Sequence, residues 1–167
     1  MQIGVIGAAG ATPEESETAG VVGRLVAGAG AVLVCGGLGG VMEAACRGAR
    51  EAGGTTVGIV PDTGPGNPYL GIVIRSGLGH ARNVLVAQSA DAVIAIGGSY
   101  GTLSEIAVAL KAGRPVFGLS SWAIPGVIQC ATPEEAVQKA AGAAREALPS
   151  PGAGEPGAGS ISGKKVT

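Results

Sequence analysis

The chain has 167 residues, 46% of them hydrophobic and 14% charged, with a net charge of −1 at pH 7. That length and apolar content suit a single domain with one well-filled core. The near-balanced charge and sparse aromatics (two Tyr, one Trp, one Phe) offer neither the basic surface nor the stacking platforms of a nucleic-acid binder, and no apolar run approaches the roughly 18–20 residues of a membrane span.

The chain opens on MQIGVIG, which lacks a basic leader segment and reads directly as a strand at 2–6, so a cytoplasmic protein is expected. Thr12 as N-cap, Pro13 at the first helical position and Glu15 closing a capping box start a helix over 13–28. The run AVLVC (31–35) is a buried strand, followed by Gly36-Gly37-Leu38-Gly39-Gly40 and a helix over 41–52. Strands are predicted at 55–60 and 72–75, then a helix over 82–89 and a strand at 91–96. Gly97-Gly98-Ser99-Tyr100-Gly101 leads into a helix over 102–112, a strand at 115–119 and a last helix over 132–147, begun by Thr132, Pro133 and Glu135. Continuous apolar strands alternating with helices predict a parallel sheet covered on both faces, a doubly wound α/β fold of the Rossmann-like kind over 1–148. Residues 149–167 are rich in Gly, Pro and Ser without an apolar face and read as a flexible appendage. Cys35, Cys46 and Cys130 are odd in number and widely spaced in apolar surroundings, the pattern of buried thiols in a reducing compartment.

In such a sheet every strand-to-helix loop lies at the carboxyl edge, where ligands bind. Two glycine loops meet there, each between an apolar strand and a helix. Glycine lets backbone N–H groups approach a ligand, and the helix that follows turns its positive dipole end to the same spot, so an anion, above all a phosphate, is the expected ligand. The candidate ligand-binding residues are Gly36, Gly37, Gly39, Gly40, Gly97, Gly98, Ser99, Tyr100, Gly101 and Thr102, with Asn83, Tyr69 and Tyr100 available to an organic part. Arg82 and Glu105, each placed in the first turn of its helix, should face the same cleft. Thr102 and Glu105 also spell T-x-x-E, a purely structural capping box. His80 reads as a polar loop residue near the cleft, and no metal site is expected. The first loop is not G-x-G-x-x-G, the second strand ends without an acidic residue, and there is no G-x-x-x-x-G-K-[ST], which argues against an NAD enzyme and a P-loop ATPase.

The segments GGLGGVMEAACRGAREAGG (36–54), HARNVLVAQSADAVIAIGGSYGTLSE (80–105) and ALKAGRPV (109–116) resemble the superfamily of the LOG phosphoribohydrolases and the molybdenum-cofactor carrier proteins. That resemblance implies a Rossmann-like fold and a homodimer or homotetramer. No cofactor is required, and a bound nucleotide or molybdenum cofactor is the implied ligand. In the hydrolase branch it would make Arg82 and Glu105 catalytic, cleaving the N-glycosidic bond of a nucleoside 5′-monophosphate. Asn83 in place of a lysine, Ile96 in place of a proline and one extra residue between Gly98 and Gly101 depart from the hydrolase pattern, and the Arg82-Asn83 pair and the longer loop resemble the carrier branch more closely. Members often bear a lysine decarboxylase label, but Lys111 and Lys139 lie far along helices and Lys164 and Lys165 in the tail, so no cleft lysine is available for a Schiff base. The small residues of 44–54 and the apolar faces of 102–113 are expected to pack across a two-fold interface.

Overall fold

The computed structural model describes residues 1–147, and the 149–167 appendage lies outside them. Among the described residues the strands are β1 (Gln2–Gly7), β2 (Val32–Cys35), β3 (Thr56–Val60), β4 (Ile72–Arg75), β5 (Ala92–Ile96), β6 (Val116–Leu119) and β7 (Val127–Gln129). They form one parallel sheet in the order β4-β3-β2-β1-β5-β6-β7. Gly7 pairs with Ile96 and Ile96 with Leu119, so three strand ends finish level with one another. The chain order reverses between β1 and β5, which opens a crevice at that carboxyl edge.

Alternate residues of the inner strands enter two separate cores. Ile3, Val5, Leu33, Cys35, Ile94, Ile96 and Phe117 pack with α1 (Pro13–Gly28), α2 (Val41–Glu51) and α5 (Pro133–Glu146). Ile6, Val34, Ile59, Val93, Ala95 and Val116 pack with α3 (Arg82–Ser89) and α4 (Tyr100–Lys111). Burial on both faces is why these strands read as unbroken apolar runs. The start of α1 follows from its capping signals: Glu15 N–H donates to Thr12 Oγ1 at 3.1 Å, and Thr12 N–H donates to Glu15 Oε2 at 2.9 Å.

The small residues of α2 serve a different purpose from the one expected. Ala44, Ala45, Gly48 and Ala49 are buried against α1 of the same chain, where a Cβ on Gly48 would lie 2.9 Å from the Gly20 carbonyl carbon and one on Gly23 2.8 Å from that of Ala45. That face is therefore already covered and is not available to a second copy. Two elements were also unforeseen. The three-residue β7 follows Pro125-Gly126 and is too short for a periodic signal, and a 3₁₀ turn at Gly79–Ala81 runs straight into α3. Cys35 and Cys46 are buried thiols with sulfurs 3.5 Å apart, whereas Cys130 is only half-buried. The hydrogen bond between them raises the Cys46 thiol and lowers that of Cys35.

Candidate functional site

α4 begins two residues earlier than the glycine spacing implies, at Tyr100. Gly101 is thus inside the helix, Thr102 is its third residue and Glu105 lies in the second turn. This removes the capping-box reading of Thr102 and Glu105. Ser99 is the N-cap, its side chain makes no cap hydrogen bond, and the first-turn N–H groups of α4 are left without intrahelical acceptors.

Glu105 instead crosses to α3. Arg82 Nη1 donates to Glu105 Oε1 at 3.2 Å, and both residues are only 5% exposed. Gly36 makes room for that arginine: a Cβ at this position would overlap the guanidinium. Beside the pair, Asn83 Nδ2 donates to Ser104 Oγ at 3.0 Å, and Ser104 Oγ donates to the Gly101 carbonyl at 2.7 Å, tying α3 to the first turn of α4. Arg82 Nε and Thr102 Oγ1 are buried with no hydrogen-bond partner among the described residues. A buried polar group without a partner costs stability, which sets these two atoms apart from the rest of the site.

These residues line a cleft of about 160 Å³ together with Gly7, Ala9, Leu38, Met42 and His80. It brings together Arg82, Asn83, Ser99, Gly101, Thr102 and Glu105 of the sequence-derived set. The other candidates sit elsewhere. Gly37 and Gly39 line a neighbouring cleft with Glu43, Gly66 and Asn67. Gly40 has φ 62° and abuts the carbonyls of Ala8 and Ala9, which is a packing role. Gly97 (φ 53°) lies under the Glu15 carboxylate, and Gly98 (φ 128°) would bring a Cβ within 2.8 Å of the Thr102 side chain. Both glycines are demanded by the backbone itself, so a Gly98→Val change would disturb the loop and could not isolate ligand binding. Tyr100 points outward at 84% exposure, and Tyr69 packs against the core behind α1 and α2. Leu38 and Met42, which also line the Arg82 cleft, carry no signal in the sequence because they read as an ordinary loop and helix residue.

Burial pushes the Glu105 carboxyl up to about 7, against the opposing pull of the Arg82 guanidinium. A carboxyl whose folded value lies above its ordinary 4.5 contributes stability that is complete below about pH 4.5 and lost as pH rises through about 7. The loss over that window amounts to about 3 kcal/mol for a displacement of this size. Glu105→Gln is expected to flatten the difference in urea midpoint between pH 5 and pH 7.5 relative to the wild type. Parallel curves for the two proteins would show that Glu105 does not titrate in this window.

Among the described residues, no helix is long and apolar enough to cross a membrane. A family profile, the SLOG cluster4 family, matches residues 1–147. A protein of Archaeoglobus fulgidus is 50% identical over 139 residues, covering 82% of this chain and 92% of its own. The molybdenum cofactor binding protein of Rippkaea orientalis superposes with a TM-score of 0.78 at 38% identity, over 83% of this chain and 93% of that one. The Moco carrier protein of Chlamydomonas reinhardtii gives 0.79 at 33% identity, over 87% and 98%. DNA processing protein A of Helicobacter pylori, at 20% identity and a TM-score of 0.67, shares the fold alone. On the match over residues 1–147 and these likenesses, the chain belongs to the SLOG cluster4 family, within the LOG-like superfamily and on the side of its molybdenum-cofactor carriers.

Proposed function

We propose that this protein binds and carries a small molecule bearing a phosphate group, of the molybdenum-cofactor or nucleotide kind, at the Arg82 cleft. One observation carries the reading: Arg82 Nε and Thr102 Oγ1, both buried and unpartnered, flank the uncapped start of α4 in a single cleft. A phosphate monoester supplies acceptors to all three, in the geometry that helix N-termini and guanidinium groups favour. Arg82, Ser99, Gly101 and Thr102 hold the phosphate, and Asn83, Leu38, Met42 and His80 face the organic part. Similarity to the molybdenum cofactor binding protein of Rippkaea orientalis and the Moco carrier protein of Chlamydomonas reinhardtii supports the carrier role. A molybdenum cofactor fits the donor set through its phosphate. Such a cofactor would be held through its phosphate by Arg82 and Thr102, and no group of three His, Cys, Asp or Glu side chains able to hold a metal ion occurs among the described residues.

The second reading is a phosphoribohydrolase, favoured by Glu105, whose carboxyl at about 7 is placed for acid–base work beside the cleft. Adenine release from AMP, followed by chromatography, separates the two. A carrier releases none. An enzyme releases adenine and loses about two to four orders of magnitude in rate on Glu105→Gln.

Assembly belongs to the same proposal. Val84 and Leu85 on α3 are each 38% exposed, and Val84, Gln88, Val108, Lys111 and Ala112 line a groove of about 360 Å³ between α3 and α4. An apolar face of this kind suits a two-fold partner, giving a homodimer or a tetramer built from it. Light scattering at micromolar concentration should report at least twice the chain mass, and a monomer would refute the assembly. The protein is placed in the cytoplasm on this reading.

A further inference from the structure

Phosphate would bring the Arg82 cleft more negative charge than its one arginine can balance. Among the residues that line it, Arg82 is the single Lys or Arg, and the buried Glu105 lines the same cleft as the unpartnered Arg82 Nε and Thr102 Oγ1. Arg82 Nη1 is the one side-chain donor to Glu105 among the described residues, at 3.2 Å. The other titratable groups about this carboxyl are His80, from the 3₁₀ turn, and the Cys35 thiol, next to Gly36 at the end of β2. The remaining lining residues are uncharged: Gly7 and Met42 from β1 and α2, and Gly101 and Thr102 from α4 itself. Glu105 therefore has one fixed positive charge to lean on, and it is the charge a phosphate would also use.

A phosphate monoester in this cleft sets a dianion near a carboxylate with a single guanidinium between them. The pull of Arg82 is then shared with the phosphate, and the dianion adds repulsion of its own, so both changes favour the neutral carboxyl. Burial already holds Glu105 at about 7, so the proton is taken from near-neutral solution. An ionised carboxylate only accepts hydrogen bonds, whereas a protonated one gains an O–H to offer a phosphate oxygen. We propose that Glu105 takes up a proton as the cleft takes up its phosphate, so that cargo and proton bind and leave together. This deepens the carrier reading and rests on its phosphate site. The carrier then holds its cargo more tightly near pH 7 than at pH 9, and a modest rise in pH loosens it.

Calorimetric titration of the whole protein with phenyl phosphate at pH 8 is the test, run in two buffers of unlike ionisation enthalpy so that the difference in heat counts protons. A monoester whose second pKa is about 6 is fully ionised there, so any proton taken up is the protein's. Uptake of about half a proton or more per monoester is expected, with affinity falling severalfold, and at most about tenfold, from pH 8 to pH 9. Glu105→Gln should bind the monoester with no uptake and no such fall. His80→Asn should retain the uptake, which removes the other titratable side chain lining the cleft and keeps the test decisive if Glu105→Gln fails to fold. Binding to the wild type without proton uptake, equal uptake in Glu105→Gln, or loss of uptake in His80→Asn overturns the inference and leaves the phosphate reading standing. Absence of binding to the wild type at pH 6.5 as well as at pH 8 sinks the phosphate reading, and this inference with it.

Discussion

Gly48→Val is expected to destabilise the protein by more than about 3 kcal/mol, seen as a fall in urea midpoint at unchanged slope. The cause is backbone contact between helices. A Cβ on Gly48 would overlap the Gly20 carbonyl oxygen, and one on Gly23 would overlap that of Ala45, so α1 and α2 touch main chain to main chain. A longer side chain cannot rotate out of the way, because the obstacle is the opposing backbone and not a flexible side chain. Separating the helices would open the core that holds Val22, Val26, Ala45 and Cys46. Gly142→Ala in α5 is the control: a Cβ there meets nothing within 4 Å, and the change should be neutral or mildly stabilising. Equal tolerance of both substitutions would contradict the packing described for α1 and α2.

Arg82→Met is the second large effect. Methionine keeps much of the length but leaves Glu105 buried without its ion partner, and breaking a buried pair in this way costs about 3–5 kcal/mol. The cost should depend on pH. Glu105 already stands near 7, and removing the guanidinium raises it further, so at pH 5 the carboxyl is neutral and the variant should approach wild-type stability. At pH 8 the unfolded chain ionises Glu105 freely, whereas the folded variant must keep it protonated or bury a bare charge, and the difference from the wild type should be greatest. Urea unfolding at the two pH values checks this, and a pH-independent difference would mean that the pair is not the origin of the loss.

How far the sequence revealed this molecule depended on what kind of signal each element carried. Local chemistry located α1 to the residue, because Thr12, Pro13 and Glu15 satisfy its first N–H groups within four positions. The joining of Arg82 to Glu105, 23 residues apart, was legible from topology alone: two helices that start at the same sheet edge bring their early residues together. The start of α4 was misjudged because Gly101 reads as a loop residue, yet nothing prevents glycine from occupying a first helical turn. That shift of two residues turned a supposed capping pair into a buried ion pair and an unpartnered hydroxyl. The roles of Gly97 and Gly98 were obscured for a different reason. Their constraints come from Glu15, some 80 residues away, and from Thr102, and neither contact leaves a trace in spacing or periodicity. The α2 stripe of small residues likewise could not announce its partner, since a close-packed face looks the same whether it meets its own chain or another.

The central claim, that the Arg82 cleft holds a phosphate group, is tested most directly by calorimetric titration of the wild type and Thr102→Val with a phosphate monoester at neutral pH. Valine replaces the unpartnered hydroxyl by a methyl group and leaves the Arg82–Glu105 pair in place. The account predicts saturable binding of one monoester per chain in the wild type, weakened about tenfold or more in Thr102→Val. Absence of binding to the wild type, or identical affinity in the two proteins, would contradict it.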